Sequence, residues 1–412
     1  MNRRIEIMAP AGSWESVRAA AKGGAGSVYF GVGRLNMRSR SSQNFSIDDL
    51  KDIAKFCSDE GIKSYVTLNT IVFDHELDEM RRVANACKEA GVSAIIASDL
   101  SVLQYVSSIK QEIHISTQCN ITNIEAVEFF SKFADVMVLA RELSLEQVKA
   151  IHNLIVERDI RGPKGNLVEL ELFAHGALCM AVSGKCYLSL DNMNSSANRG
   201  ACLQVCRRPY KVTDKDGDIE LEIDNEYIMS PKDLSTIGFI DQIVDAGVSV
   251  LKIEGRGRSP EYVLEVTRVY REAVDALAAG QYTDARIEEW KNRLSGVYNR
   301  GFWDGYYLGQ KLGEWSNGHG SKATRTKKYI GKVTNYFSNL GVAELKLETD
   351  DLKPGDSIII NGPTTGVVEH TVTEIRLELT PVEVALKGSL CSVALPELVR
   401  RQDKLFKWVD SE

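Results

Sequence analysis

One phrase recurs through the first 280 residues and constrains the fold more than any other feature. An amphipathic run ends at glycine, a short β-branched or aromatic run follows, and a polar loop leads to the next amphipathic run. Glu60-Gly61 precedes IKSYVTL, Ala90-Gly91 precedes VSAIIAS, and Ala246-Gly247 precedes VSVLKIE. Glycine suits the left-handed position that ends a helix. A short apolar strand suits a parallel sheet buried on both faces. The phrase predicts strands near 5–9, 27–31, 63–68, 94–98, 112–116, 135–140, 168–173 and 249–254. It predicts helices near 13–22, 47–59, 75–90, 99–108, 124–132, 144–157, 234–246 and 260–279. Ser46 with Asp49, and Ser144 with Gln147, resemble capping boxes, and Ser259-Pro260 opens a helix with proline at its first position. Eight alternating units make an α/β fold, a (β/α)8 TIM-like barrel, the expected architecture. A doubly wound sheet is the alternative, and its dinucleotide variety lacks the required G-x-G-x-x-G.

Two regions break the phrase. The insertion 174–230 carries four of the eight cysteines and an expected hairpin, YKVTD and DIELEI about a turn at Lys215-Asp216-Gly217. The tail follows a glycine-rich stretch and a basic run, and reads as short strands between turn signals such as Pro354-Gly355. The expected division is a barrel over 1–313, a linker over 314–328, and a small C-terminal all-β barrel over 329–412.

The apolar stretches are far short of the roughly 20 residues a bilayer requires, and the N-terminus lacks the apolar core of a signal peptide. A cytoplasmic protein with no membrane partner is expected. In a reducing compartment, clustered cysteines point to metal or catalysis rather than disulfides. Cys179, Cys186, Cys202 and Cys206 are spaced C-x6-C-x15-C-x3-C. Structural zinc prefers two close knuckles, and only Cys202/Cys206 is one. All-thiolate ligation at loose spacing favours an iron–sulfur cluster and leaves zinc open. Cys57, Cys87 and Cys391 read as small buried hydrophobes.

Polar residues just past barrel strands point into one mouth. Arg38, Asn44, Asn69, Gln118, Arg141, Glu142 and Arg256 are candidate substrate-binding groups. Lys252 and Glu254 alternate in an apolar strand and so share a face. They form an ion pair inside the barrel or serve the substrate; with His175, four residues before Cys179, they are the candidate catalytic groups. The other histidines, 75, 114, 152, 319 and 370, are isolated. There is no H-E-x-x-H and no G-x-S-x-G. Arg207, Arg208, Lys322, Arg325, Lys327 and Lys328 are candidates for tracking RNA phosphates, against a net charge of −7.

The stretches ELFAHGALCMAVSGKCYLS, NRGACLQVCRRPYKV, MSPKDL and LKIEGR resemble the collagenase-like peptidase family of unknown catalytic type, number thirty-two among the U families. IEIMAPAGSWESVRAAAKGGAGSVYFG, HISTQCNITN and YNRGF extend the likeness over about residues 4–310. The resemblance implies an oxygen-independent hydroxylase. One branch of the family hydroxylates tRNA wobble uridine, with prephenate as hydroxyl donor. Others act on ribosomal-RNA cytidine or on the ubiquinone ring. It also implies a 4Fe–4S cluster on Cys179, Cys186, Cys202 and Cys206. Some quinone-branch members place the fourth cysteine beside SPKDL, and Ser230–Leu234 has none. That difference and the β tail point to the tRNA type. Arg141, Arg38 and Lys252 would take the donor's carboxylates, Glu254 and His175 would move protons, and Tyr29 or Tyr65 would stack the flipped base. A homologous or electron-transfer partner is left open. The rival readings are a peptidase, as the family's older name says, and a non-catalytic iron–sulfur or zinc RNA-binding protein.

Overall fold

The computed structural model describes residues 5–40, 43–211, 227–310, 313–318 and 320–411. Most of the expected hairpin at 210–223 lies outside the described residues. The strands are β1 (Glu6–Pro10), β2 (Ser27–Gly31), β3 (Lys63–Leu68), β4 (Ala94–Ala97), β5 (Ile113–Ile115), β6 (Val136–Val138), β7 (Glu169–Gly176), β8 (Asp233–Ser235) and β9 (Val248–Ile253). β1 to β7 pair in sequence, all parallel, and β9 closes the ring by pairing parallel to both β7 and β1. The result is the closed eight-stranded barrel that the glycine phrase predicts.

Helices α1 (Trp14–Lys22), α2 (Leu50–Asp59), α3 (Leu77–Ala90), α4 (Leu100–Ser108), α5 (Ile124–Phe130) and α6 (Leu145–Glu157) follow β1 to β6 in turn. α7 (Leu188–Met193) is a short helix in the insertion; α8 (Ile240–Asp245), α9 (Pro260–Ala278) and α10 (Asp284–Ser295) complete the set. α6 begins in a full capping box, Ser144 with Gln147. Ser46 and Asp49 exchange the bonds of a box but do so in the turn before α2, which starts at Leu50. Pro260 occupies the first turn of α9, and Ser259 makes no side-chain cap bond.

One element differs. The helix expected from 234 starts only at Ile240, because Asp233–Ser235 is a strand. β8 folds back antiparallel on the end of β7, pairing Ser235 with His175 and Leu234 with Gly176. β10 (Phe302–Trp303) lines up beside it, and Arg300 reaches the Asp233 carboxylate at 3.3 Å.

The barrel has two packed layers. Between strands and helices lies the main apolar core, including Ile7, Phe30, Val66, Ile95, Ile113 and Leu251. Inside the ring, Met8, Tyr29, Tyr65, Ala94, Ile96, Val136 and Val250 pack together. Residues alternate between these layers because successive side chains of a strand point to opposite faces.

The tail is all-β and antiparallel: β11 (Arg325–Phe337), β12 (Val342–Leu347), β13 (Ser357–Gly362), β14 (Gly366–Thr371), β15 (Ile375–Leu377), β16 (Thr380–Val382), β17 (Leu390–Ala394) and β18 (Lys404–Asp410). Their order is β14-β13-β18-β11-β12-β17-β15-β16. β11 begins inside the stretch expected as a linker. The sheet buries its own core, Ile330, Val333, Leu345, Ile358, Ile360 and Leu405 among others. Ile359 of β13 and Val367 of β14 instead join the barrel's core. Among the described residues no helix is long and apolar enough to cross a membrane.

Candidate active site at the barrel mouth

A cavity opens at the C-terminal ends of the strands, where this fold carries its chemistry. Its floor is charged and tightly organised. Glu254, just past β9, accepts from the Arg38 guanidinium at 2.7 Å and from the Tyr29 hydroxyl at 3.2 Å. Burial pushes its carboxyl up, but Arg38, Arg141 and Arg256 overcome that and hold it down to about 2. Glu254 is therefore an anion at any physiological pH. Tyr29 also donates to the Ile253 carbonyl at 2.9 Å, and burial followed by Glu254 pushes its phenol well above the ordinary range.

Arg256 donates to Thr67 Oγ1 at 2.8 Å and Asn36 Oδ1 at 3.1 Å, and burial lowers its guanidinium to about 10. A Cβ on Gly31 would lie 2.3 Å from Asn44 Oδ1 and 2.6 Å from the Arg256 guanidinium, so only glycine fits at the end of β2. Asn44 does not line the cavity; its amide ties the loop through the Ser39 carbonyl at 3.2 Å. Asn69 donates to Gln118 Oε1 and Ser116 Oγ, each at 3.1 Å, and this group forms one wall.

Arg141 differs from its neighbours. Its guanidinium stacks 3.8 Å over the Phe173 ring and reaches the Ala177 carbonyl only at 3.4 Å. Its Nε is buried with no hydrogen-bond partner. Arg258, stacked 3.5 Å over Tyr298, lines the same cavity. The sequence reading overlooked Arg258, although it lies only two residues beyond Arg256.

Cys179, Cys186, Cys202 and Cys206 all line the cavity, and all are free. Cys179 is exposed and the other three half-buried. Burial pushes the Cys206 thiol up; Arg207 opposes this, and the other three cysteines reinforce it. Among the described residues, no three His, Cys, Asp or Glu side chains are grouped as for a single metal ion.

Several expected site residues are placed elsewhere. His175 faces away from the cavity into a cage formed by Tyr262, Tyr270 and Phe302. Burial, then Arg258, lowers its imidazole to about 3, so it is a neutral structural group. Lys252 does not pair with Glu254. It donates to Glu171 at 2.6 Å, a partner on β7 that the strand ELELF concealed between apolar residues. Glu142 is exposed beside the cavity in a smaller cleft lined by Trp303, Tyr306 and Trp315. Tyr65 is 1% exposed inside the ring, its hydroxyl donating to Glu6 at 2.9 Å, so it offers no face to a base. Tyr29 does line the cavity, but it is only 3% exposed and Lys252 Nζ lies 4.7 Å over its ring.

The basic candidates divide in the same way. Arg207 donates to the Leu178 carbonyl at 2.6 Å and to Ser230 Oγ at 3.0 Å, which ties the insertion down. Lys327 pairs with Glu261 of α9 at 2.9 Å and so joins the tail to the barrel, whereas Arg325 stacks 4.2 Å from the Trp408 ring within the tail's own sheet. Lys328 pairs with Asp350 at 2.9 Å. Lys322 contacts Asn317, and Arg208 is exposed. The groups reaching outward are Arg208, Lys322 and Lys328.

Charged strand ends around one open cavity are what a TIM-barrel enzyme presents to its substrate, and this chain is an enzyme of that class. It belongs to peptidase family U32, whose sequence profile matches residues 12–317. A protein of Porphyromonas gingivalis named collagenase is 58% identical over 404 residues, 98% of each chain. A tRNA hydroxylation protein of Bacillus subtilis is 32% identical over 388 residues, 91% of this chain and 87% of that one. A 23S rRNA 5-hydroxycytidine synthase of Escherichia coli is also 32% identical, over 90% of this chain and 55% of its own length.

Proposed function

We propose that this enzyme hydroxylates a pyrimidine in RNA without oxygen, with tRNA wobble uridine as substrate and prephenate as hydroxyl donor. The observation that carries the reading is Arg141. A stacked guanidinium with an unmet N–H, in the cavity that four thiols share, is suited to a small carboxylate. Arg258 adds a second cation for a dicarboxylate. Arg38 is already paired with Glu254 and Lys252 with Glu171, so neither is the primary anchor.

The donor set fits a 4Fe–4S cluster. Four thiols line one cavity, and an all-thiolate set is the donor chemistry an iron–sulfur cluster takes. Cys179, Cys186, Cys202 and Cys206 would hold it, and it would supply redox or Lewis-acid chemistry at the cavity wall. Around it, Glu254 stays ionised and orients Arg38 and Tyr29, while Arg141 and Arg258 orient the donor. Arg208 and Lys322, both exposed, are the side chains assigned to phosphates in this reading. Two relatives named for RNA hydroxylation, at 32% identity, support the substrate class.

The peptidase reading draws on the relative named collagenase. Among the described residues, however, no histidine lines the cavity to activate Cys179 or a serine. The test is nucleoside mass spectrometry of tRNA from a deletion strain complemented with wild type or Cys179→Ala. Loss of 5-hydroxyuridine, restored only by wild type, is expected. Unchanged nucleosides, with gelatin cleavage that survives Cys179→Ala, would overturn the proposal.

A further inference from the structure

The barrel interior beneath the mouth is not the branched apolar packing such rings ordinarily enclose. On β5, Ile113 and Ile115 turn to the helices, so His114 points inward and is 2% exposed. Glu171 on β7 is wholly buried, and Lys252 on β9 nearly so. Lys252 lines the cavity, and its Nζ donates to Glu171 Oε1 at 2.6 Å. The second carboxylate oxygen, Oε2, has no hydrogen-bond partner. It lies 3.9 Å from His114 Nδ1, which has none either. On the other side, His114 Nε2 is 3.7 Å from Glu112 Oε1. Glu112 is part-exposed just before β5, at the N-terminal end of the ring, and is paired with Lys164. The other group against His114 is Tyr65, its ring 4.5 Å away, whose hydroxyl meets Glu6 and through it Lys63.

Titratable side chains thus run head to tail from the cavity floor to solvent at the opposite end of the barrel. Buried charges in a core are costly unless fully paired, and here two buried atoms face each other unpaired. Both gaps exceed hydrogen-bond reach by less than about 1 Å, a distance that small side-chain rotations close.

We propose that Glu171 and His114 form a proton relay that recharges Lys252 from solvent at the N-terminal end of the barrel. When Lys252 gives a proton to a ligand in the cavity, its ammonium becomes an amine. The His114 imidazolium passes its Nδ1 proton to Glu171 Oε2. After a half-turn of the carboxyl group, Glu171 returns that proton to Lys252 Nζ. The neutral ring, still protonated on Nε2, turns over so that its bare Nδ1 meets water at Glu112, which reprotonates it and restores the imidazolium. Only N–H and O–H bonds form and break, and one proton crosses the ring. The purpose rests on the function proposed above: an RNA seated on the mouth cuts the cavity off from bulk water, and a path from behind keeps protons available. Glu171 and His114 are positioning and relay residues, since neither touches the ligand.

The test uses the full chain with nitrogen-15-labelled histidine, the His114 ring being assigned by its loss in His114→Gln. Lys252→Met removes a positive charge beyond Glu171 and raises the His114 titration midpoint. Glu171→Gln removes the adjacent carboxylate and lowers it, each by roughly one pH unit. With RNA hydroxylation as readout, Glu171→Gln lowers kcat about tenfold, leaves KM unchanged and alters the pH profile. An imidazole that ignores both substitutions overturns the relay, whatever becomes of the RNA chemistry. So does a folded Glu171→Met/Lys252→Met double variant with wild-type turnover and pH profile. Unmodified RNA nucleosides alongside a responsive His114 would overturn the hydroxylation reading and leave the relay standing.

Discussion

Arg141 and Arg38 share a cavity and differ in what is left for them to bind. Arg38 is neutralised by Glu254, whereas Arg141 keeps an unmet N–H. Arg141→Lys is therefore expected to weaken binding of a dicarboxylate donor at least tenfold, because an ammonium lacks the planar fork and the stacking on Phe173. Titration calorimetry with prephenate reads this; unchanged affinity would place the donor elsewhere. His175 carries a prediction of opposite kind. Its folded pKa, about 3, lies below the ordinary 6.5. As pH falls through 6.5 the unfolded chain takes up a proton that the folded one refuses, so stability falls from there toward pH 3. In His175→Gln the slope of urea midpoint against pH over that window should be shallower; an unaltered slope would contradict the neutral cage. Sequence spacing showed that Lys252 and Glu254 share a face, but it could not choose their partners. Those partners, Glu171 and Arg38, come from strands and loops distant in the chain. His114 gave no sequence signal, since a single histidine between two isoleucines looks like core.

At the level of elements, the glycine phrase located all eight barrel strands, because helix ends and buried strands are set by local physics. It failed where a tertiary contact outweighed local preference. Asp233–Ser235 forms a strand because the end of β7 offers an edge and Arg300 takes the aspartate. The close of the ring is sensitive at Gly176, which has φ +104 and would place a Cβ 2.4 Å from the Glu254 carbonyl. Gly176→Ala is expected to cost at least ~2 kcal/mol and to shift the Glu254 backbone carbonyl, and with it the backbone that carries the Glu254 carboxylate. Denaturant midpoints and donor affinity should fall together; a stable variant with weakened affinity would separate the two effects. By contrast, Ser144→Ala, which breaks the capping box of α6 but removes no group that lines the cavity, should cost only ~1 kcal/mol and leave binding intact.

Across the whole molecule, the tail is bound to the barrel by more than surface charge. Lys22 and Glu397 are part-exposed, a pairing worth little. Glu261 is buried and receives both Lys327 and Asn361, while Ile359 and Val367 enter the barrel's core. Calorimetry on the full chain should show one melting transition, and deleting 325–412 should lower its temperature rather than release an intact barrel. Two separated transitions would contradict this. The sequence announced an all-β tail through its turn signals, but not its docking. Docking depends on which face of β13 each isoleucine takes: Ile358 and Ile360 turn to the tail's own core and Ile359 to the barrel's.

β18 follows every other described strand in sequence, yet it lies between β13 and β11, near the middle of the tail's sheet. Its Phe406 and Trp408 also pack against the barrel's core. Synthesis must therefore pass β18 before β11 and β13 gain the strand that lies between them. Until then, two open strand edges and an uncovered apolar face are presented to the cell together. A nonsense or frameshift lesion at the first codons of β18 would leave the cavity, the thiols and the barrel strands fully encoded. The product would nonetheless be sticky and prone to degradation, so loss of this protein can begin far from any residue that touches its substrate.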